Sequence, residues 1–275
     1  MTNPAVSIVL VATTHSGNIG ASARAMANMG LRQLRLVAPK AVIDADARTR
    51  ASGADYILDS ATIHPSLADA LANARYAVGT TARRREISWP VLEPGRAAAT
   101  LIEQINMADR DADCEVAIVF GRESSGLTNT ELDLVDALVS IPVNPEFMSL
   151  NVASAVMIMA YEVRRQMQIG KLLELNQGPP ESDDASIGGD TEAQSESRKD
   201  ILIRAQKALP ASIGEREYFF THLQKVLEEL DFIKANRSDK LMRKIRRVYA
   251  RAQPDSEELR LLRGILTAIE HKTNE

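Results

Sequence analysis

Five short apolar runs punctuate the first half of the chain: "SIVLVA" (7–12), "LRLVAP" (34–39), "YAVGTT" (76–81), "EVAIVFG" (115–121) and "ALVSIPV" (137–143). They are mostly continuous in apolar character rather than alternating, as strands covered on both faces are. Patterns of helical period lie between and after them, at 18–29, 65–73, 95–109, 128–135 and 151–168. Strands alternating with helices predict an α/β fold, a mostly parallel sheet with helices on its two faces. In the last of these helices Val152, Val156, Met159 and Val163 fall on one stripe, which reads as core or as a subunit contact.

Beyond this region the pattern stops. "NQGPPESDDASIGGDTEAQSES" carries Pro, Gly, Ser and acids with almost nothing to bury, and reads as a flexible acidic linker. Helical patterns resume near 199–209, 213–232, 238–252 and 255–271, separated by Pro210, Asn236 and Pro254. The expected organisation is a domain over 1–170, a linker over 171–198 and a small helical domain over 199–275.

Of the 275 residues 45% are hydrophobic, enough for a substantial core. No run approaches the roughly 20 apolar residues of a membrane span, and the first residues have neither the basic start nor the small-residue cleavage site of a signal peptide. The chain is therefore expected in the cytoplasm, without a membrane partner. Cys114 is the only cysteine, and His15, His64, His222 and His271 are scattered, so no metal is expected. The net charge of −4 argues against nucleic acid only until its distribution is considered. "KANRSDKLMRKIRRVYARAQ" gathers Arg243, Lys244, Arg247 and five further cations around a single acid, Asp239. A solvated helix would look similar; local concentration of cations favours contact with RNA phosphates.

Three motifs carry candidate chemistry. The turn "HSGNIGAS" after the first strand lacks the Gly-x-Gly-x-x-Gly fingerprint of a dinucleotide site, and no acid closes the second strand, so a nucleotide-dependent oxidoreductase is disfavoured. It reads as a turn that starts a helix, with Ser16 or Asn18 as cap, Gly20 for close approach to the sheet, and Arg24 further along. In "VFGRESSGLTNTELDLVD" Gly121 would let a ligand approach the backbone, and Thr128 or Asn129 would cap the next helix. In "SIPVNPEFMSLNVASAVM" Ser149 or Asn151 would cap another. Loops at the carboxyl ends of parallel strands are where such sheets bind ligands.

Together the motifs resemble the SpoU branch of the SPOUT RNA 2′-O-methyltransferases. The resemblance rests on Asn18, Gly20 and Arg24, on Phe120 to Leu127, and on Ile141 to Asn151, in that order, and spans roughly residues 5–168. "VATTHSGNIGASARAMANMG", "GTTARRR" and "NPEFMSLNVASAVMIMAYEV" bring it nearest to the bacterial enzymes that methylate nucleotide 32 in the anticodon loop of tRNA.

The resemblance implies a sheet whose C-terminal part is tied into a trefoil knot, an exception to the rule that chains do not thread. It implies a homodimer whose interface would account for the stripe on 151–168, S-adenosyl-L-methionine as cofactor, and tRNA as partner. It places the cofactor at Thr80, Thr81 and Ala82, at Gly121 and Ile141, and at Ser149, Leu150 and Asn151. Arg24 matches the essential arginine, with Asn18 orienting the same group, and Arg83, Arg84 and Arg85 match a loop that meets tRNA. Methylation of ribosomal RNA, and an RNA-binding relative without turnover, are the alternatives. The acidic linker is longer than the resemblance leads one to expect, which bears on how firmly the C-terminal domain is held.

Overall fold

The computed structural model describes residues 6–81, 90–107, 115–176, 209–233 and 238–273. Seven strands form one sheet: β1 (Val6–Val11), β2 (Gln33–Val37), β3 (Thr62–His64), β4 (Ala74–Thr80), β5 (Val91–Leu92), β6 (Glu115–Phe120) and β7 (Ala137–Val139). Their order is β3-β2-β1-β6-β4-β7-β5, and every neighbouring pair is parallel. The predicted strands are all present. That at 137–143 ends at Val139, because residues 140–143 leave the ladder to shape a loop. β3 and β5 lie at the two edges, and their two or three residues are too short to register as a pattern.

Side chains along the central strands point alternately to two covered faces, which is why the runs look continuously apolar. Ile8, Leu10, Ile118 and Phe120 face one core, and Val9, Val11, Ala117 and Val119 the other. Ile8 and Leu10 are fully buried, and each such side chain contributes roughly 1.5–3 kcal/mol by leaving water. The first face is covered by α1 (Ser16–Met29), α2 (Ala45–Ala51), α3 (Asp55–Asp59), α5 (Pro94–Met107) and α7 (Val152–Asn176), the second by α4 (Leu67–Leu71) and α6 (Asn129–Leu132).

Helix α2, "ADARTRA", eludes the periodicity because only Ala47 and Ala51 are buried. Its backbone meets α1 at Gly20, where an added Cβ would stand 1.9 Å from the Ala47 carbonyl oxygen, so this glycine admits α2 rather than the sheet. The α7 stripe is resolved in favour of core: Val156, Met159 and Val163 are fully buried and Val152 nearly so, within the chain's own first core, and no dimer is needed to cover them. The same helix runs to Asn176, six residues into the stretch read as linker. The rest of that stretch and the helix expected at 199–209 lie outside the described residues, apart from Leu209.

The C-terminal helices are α8 (Ile213–Glu229), α9 (Ser238–Ala252) and α10 (Ser256–Thr273). They share a core of Phe219, Phe220, Val226, Met242, Leu259 and Leu266. This unit docks on the sheet: Ile213 joins the second core, and Gly214 donates its N–H to the Ala72 carbonyl at 3.1 Å. Arg216 reaches Asp136 just ahead of β7, and Arg243 Nε donates to Asp133 Oδ2 at 2.9 Å. Burial pushes the Asp133 carboxyl above its usual range, against the pull of Arg243. The C-terminal unit is thus held by direct contacts whatever the linker's length.

Candidate functional site

The carboxyl ends of β4, β6 and β7 open onto a cleft of about 320 Å³, within the usual range of small-ligand pockets. Thr80 and Thr81 form one wall. Thr80 Oγ1 donates to the Val119 carbonyl at 3.1 Å and the Thr81 N–H to the Val139 carbonyl at 2.9 Å, which fixes this strand end. Gly121, Ile141, Ser149 and Leu150 also line the cleft, so the structure brings these candidates together. Phe120, Arg122, Val143 and Met148 join them without having been singled out; the signal available was their place in the same two motif loops. Ala82 and Arg83 to Arg85 lie outside the described residues.

The loop 121–126 closes as a hairpin, with Arg122 and Gly126 exchanging backbone hydrogen bonds at 3.3 and 2.9 Å. A Cβ at Gly121 would stand 2.3 Å from the Gly126 carbonyl carbon, so this glycine serves the loop's own closure, where the sequence suggested ligand approach. Gly126 has φ +68°, a conformation glycine adopts without strain. Beyond the hairpin Thr128 caps α6 through a capping box with Glu131, and Arg122 grips both oxygens of Glu131 at 2.8 Å. Burial alone would raise the Glu131 carboxyl; Arg122 and the Thr128 N–H hold it below its usual value.

Asn151, one of the two caps the sequence offered for α7, fills that role. Its Oδ1 accepts from the N–H groups of Ala153 and Ser154 at 2.8 and 3.4 Å, so it caps α7, and its Nδ2 donates to Asn18 Oδ1 at 3.0 Å. It lines a second hollow beside the cleft rather than the cleft itself. Asn18 in turn donates to Glu123 Oε1 at 3.0 Å, and Thr14 Oγ1 donates to Glu123 Oε2 at 3.1 Å. Burial pushes Glu123 up, but the donors from Asn18 and Thr14 win and hold it below its usual value, as a carboxylate. Glu123 borders both cavities and ties all three motifs together, yet sequence reasoning did not single it out. Its position in the motif that holds Gly121 was the only hint.

Neither suggested cap holds α1: His15 stands at the N-cap and its side chain bonds none of the helix's N–H groups, and Ser16 is instead a partner of Asp44. Arg24 is exposed on α1 and lines neither cavity of its own chain. On α9 the cations divide. Arg243 is spent on Asp133, and Arg246 pairs with Glu217 while stacking 4.4 Å from the Phe220 ring centroid. Lys240, Lys244 and Arg251 are exposed and Arg247 half-buried, at positions i, i+4, i+7 and i+11 of one face. No group of residues able to hold a metal occurs among the described residues.

The parallel sheet with a ligand cleft walled by the loops after β4, β6 and β7 defines a class, and residues 5–161 match it: the chain belongs to the SpoU rRNA Methylase family. Residues 214–275 match the C-terminal domain of the tRNA methyltransferase TrmJ. The chain is 40% identical over 262 residues to the tRNA (cytidine/uridine/adenosine-2′-O-)-methyltransferase TrmJ of Pseudomonas aeruginosa, covering 95% of this chain and 92% of that protein. It is 38% identical to the tRNA (cytidine/uridine-2′-O-)-methyltransferase TrmJ of Pectobacterium atrosepticum, with 98% of each covered. Among solved structures TrmJ from Z. mobilis ZM4 superposes with a TM-score of 0.74 at 32% identity, over 96% of this chain and 98% of that one.

Proposed function

We propose that the protein transfers a methyl group from S-adenosyl-L-methionine to the 2′-hydroxyl of the pyrimidine ribose at nucleotide 32 of tRNA. The observation that carries this reading is the convergence of the loops after β4, β6 and β7 on one cleft, whose bordering Glu123 is bonded to Asn18 of the first motif. The family description names ribosomal RNA, but the C-terminal match and the relatives' names favour tRNA.

The cleft fits the cofactor. Ile141, Val143, Met148 and Leu150 supply apolar walls for an adenine face, while the strand ends and the 121–126 hairpin offer backbone donors and acceptors for its edge. When bound, it supplies the methyl as a sulfonium substituent. The Glu123 carboxylate at the cleft's border favours the positive charge on that sulfur.

Arg24 stabilises charge on the attacking oxygen. A guanidinium does not deprotonate under working conditions, so it orients and stabilises rather than acting as base. Because Arg24 lies outside its own chain's cleft, we assign it to the cleft of a second subunit in a homodimer. Exposed Phe147, Met148 and Tyr161 near the α7 start are apolar surface that such an assembly would cover. The face of α9 that carries Lys244 and Arg247, bonded to no acid among the described residues, meets tRNA phosphates, as do Arg83, Arg84 and Arg85. The family's trefoil knot belongs to the same reading.

Incubation with methyl-labelled S-adenosylmethionine and unmodified tRNA, followed by nuclease digestion and mass spectrometry, tests it. A ribose methyl at nucleotide 32 is expected. Label elsewhere on tRNA, or on ribosomal RNA alone, refutes the assigned substrate.

A further inference from the structure

Beside the cofactor cleft a hollow of about 520 Å³ opens between the first turn of α1 and helix α2, and Glu123 borders both. The polar groups at its floor are engaged with one another: Asn18 with Glu123 and Asn151, Thr14 with Glu123. Two side chains at its rim, His15 and Arg50, keep functional atoms that are bonded to nothing among the described residues.

The hydrogen-bond chain assigns the His15 tautomer. Thr14 Oγ1 gives its hydrogen to Glu123 Oε2, so toward His15 Nδ1, 2.8 Å away, it acts as acceptor. Nδ1 therefore carries the ring proton, and Nε2 presents a lone pair. A proton arriving at Nε2 creates an imidazolium whose Nδ1 lies 3.8 Å from Glu123 Oε1, a carboxylate that stabilises it. The other charged groups facing this ring across the hollow are Asp46 and Arg50 of α2; Asn18 and Asn151, from α1 and α7, are neutral.

Arg50 uses Nε for Asp46, at 2.9 and 3.1 Å, leaving its two terminal nitrogens for a ligand. Its place is set by α1: a Cβ at Gly17 would stand 2.5 Å from Arg50 Nε and 2.6 Å from Asp46 Oδ2, so the pair rests on the backbone of that helix's first turn.

We propose that this hollow seats the ribose and phosphate of the target nucleotide, with His15 Nε2 accepting the 2′-hydroxyl proton and Arg50 holding the adjoining phosphate. The assignment rests on the methyltransferase reading above and names the proton acceptor that an arginine cannot be. In the step, the 2′-O–H bond yields its proton to Nε2 and the oxygen's electron pair forms the bond to the methyl carbon. The pair of the broken S–C bond stays on sulfur, giving S-adenosylhomocysteine, and the imidazolium returns its proton to water.

The test uses the full chain with unmodified tRNA, combining single-turnover kinetics with imidazole NMR in the presence of S-adenosylhomocysteine. His15 is exposed, so His15→Gln folds and also assigns the ring signal. Expected are a shift of that signal on adding tRNA and, in His15→Gln, a rate lower by on the order of 10²-fold. That variant should lose the decline of rate toward low pH and keep wild-type affinity for tRNA and S-adenosylhomocysteine. Arg50→Ala should weaken tRNA binding about tenfold while leaving cofactor affinity near wild type. A His15→Gln rate within about twofold of wild type with the pH profile retained, or a His15 signal unmoved at saturating tRNA, overturns the proposal. If the His15 signal moves but wild-type protein transfers no methyl, the seat stands and the methyltransferase reading falls.

Discussion

Arg216 and Asp136 form a buried ion pair that fastens the C-terminal helices to the sheet. Both terminal nitrogens of the guanidinium reach the carboxylate, one of them at 3.2 Å, and the Ala77 N–H donates to the same carboxylate at 2.9 Å. Burial alone would lower the Arg216 pKa; Asp136 beside it raises it instead. The side chains are 10% and 2% exposed, so neither charge has water to turn to. Asp136 immediately precedes β7, whose Val139 borders the cleft, so the pair fixes α8 relative to that cleft.

Removing one partner leaves the other charge buried and unpaired. Arg216→Met should therefore cost about 3–5 kcal/mol in urea unfolding. The double variant with Asp136→Asn should recover part of that loss. A loss within about 0.5 kcal/mol for Arg216→Met would mean that the contact is solvated in the folded protein.

Arg24→Ala should fold, bind S-adenosylhomocysteine with wild-type affinity and transfer almost no methyl, because the exposed side chain supports no core. Mixing Arg24→Ala with a variant defective in cofactor binding checks the subunit assignment. Recovery of part of the wild-type rate in the mixed dimer is expected if Arg24 serves its partner's cleft, and none if it serves its own.

Gly121→Ala forces a Cβ against the Gly126 and Leu127 backbone, at 2.3 and 2.4 Å, and the hairpin must open. Overpacking of this kind costs about 1–3 kcal/mol. Because the hairpin walls the cleft, affinity for S-adenosylhomocysteine, read by isothermal titration, should fall more than tenfold, equivalent to about 1.4 kcal/mol.

The Glu123 carboxyl is held below its ordinary value of 4.5. A carboxylate with a lowered folded pKa adds stability that is complete above the unfolded value and fades as pH falls through the folded one. The stability difference between wild type and Glu123→Gln should thus be largest near neutrality and shrink as pH drops below about 4.5. Urea unfolding at stepped pH measures it; a difference independent of pH would sink the assignment of a charged Glu123.

What the sequence made legible follows from how each feature is encoded. β1 and β6 were readable because Ile8, Leu10, Ile118 and Phe120 alternate with residues that also need covering, leaving an unbroken apolar run. α2 was not, since two alanines leave little periodicity. The cleft residues Thr80, Ile141 and Leu150 came from motif resemblance. Glu123 escaped because its meaning lies in partners 105 and 109 residues away, Asn18 and Thr14. Arg243 is the opposite case: charge clustering marked it alongside Lys244, but only the packing of α9 against α6 separates an inward cation from an outward one.

That separation predicts different consequences for adjacent residues. Lys244 and Arg247 belong to the face with Lys240 and Arg251 and are bonded to no acid among the described residues, whereas Arg243 is held by Asp133 with both side chains largely buried. Each phosphate contact releases condensed counterion, so losing two of them should flatten the plot of log K against log salt by about 1.4–1.8. Lys244→Ala with Arg247→Ala should therefore weaken tRNA binding and reduce its salt dependence while leaving the unfolding midpoint in place. Arg243→Ala should do the reverse, lowering stability because it strands Asp133 and leaving the salt slope intact. Filter binding across a salt series, paired with urea unfolding, distinguishes them. Equal salt slopes for the double variant and wild type would remove α9 from the RNA interface and leave Arg83 to Arg85 as the residues to test.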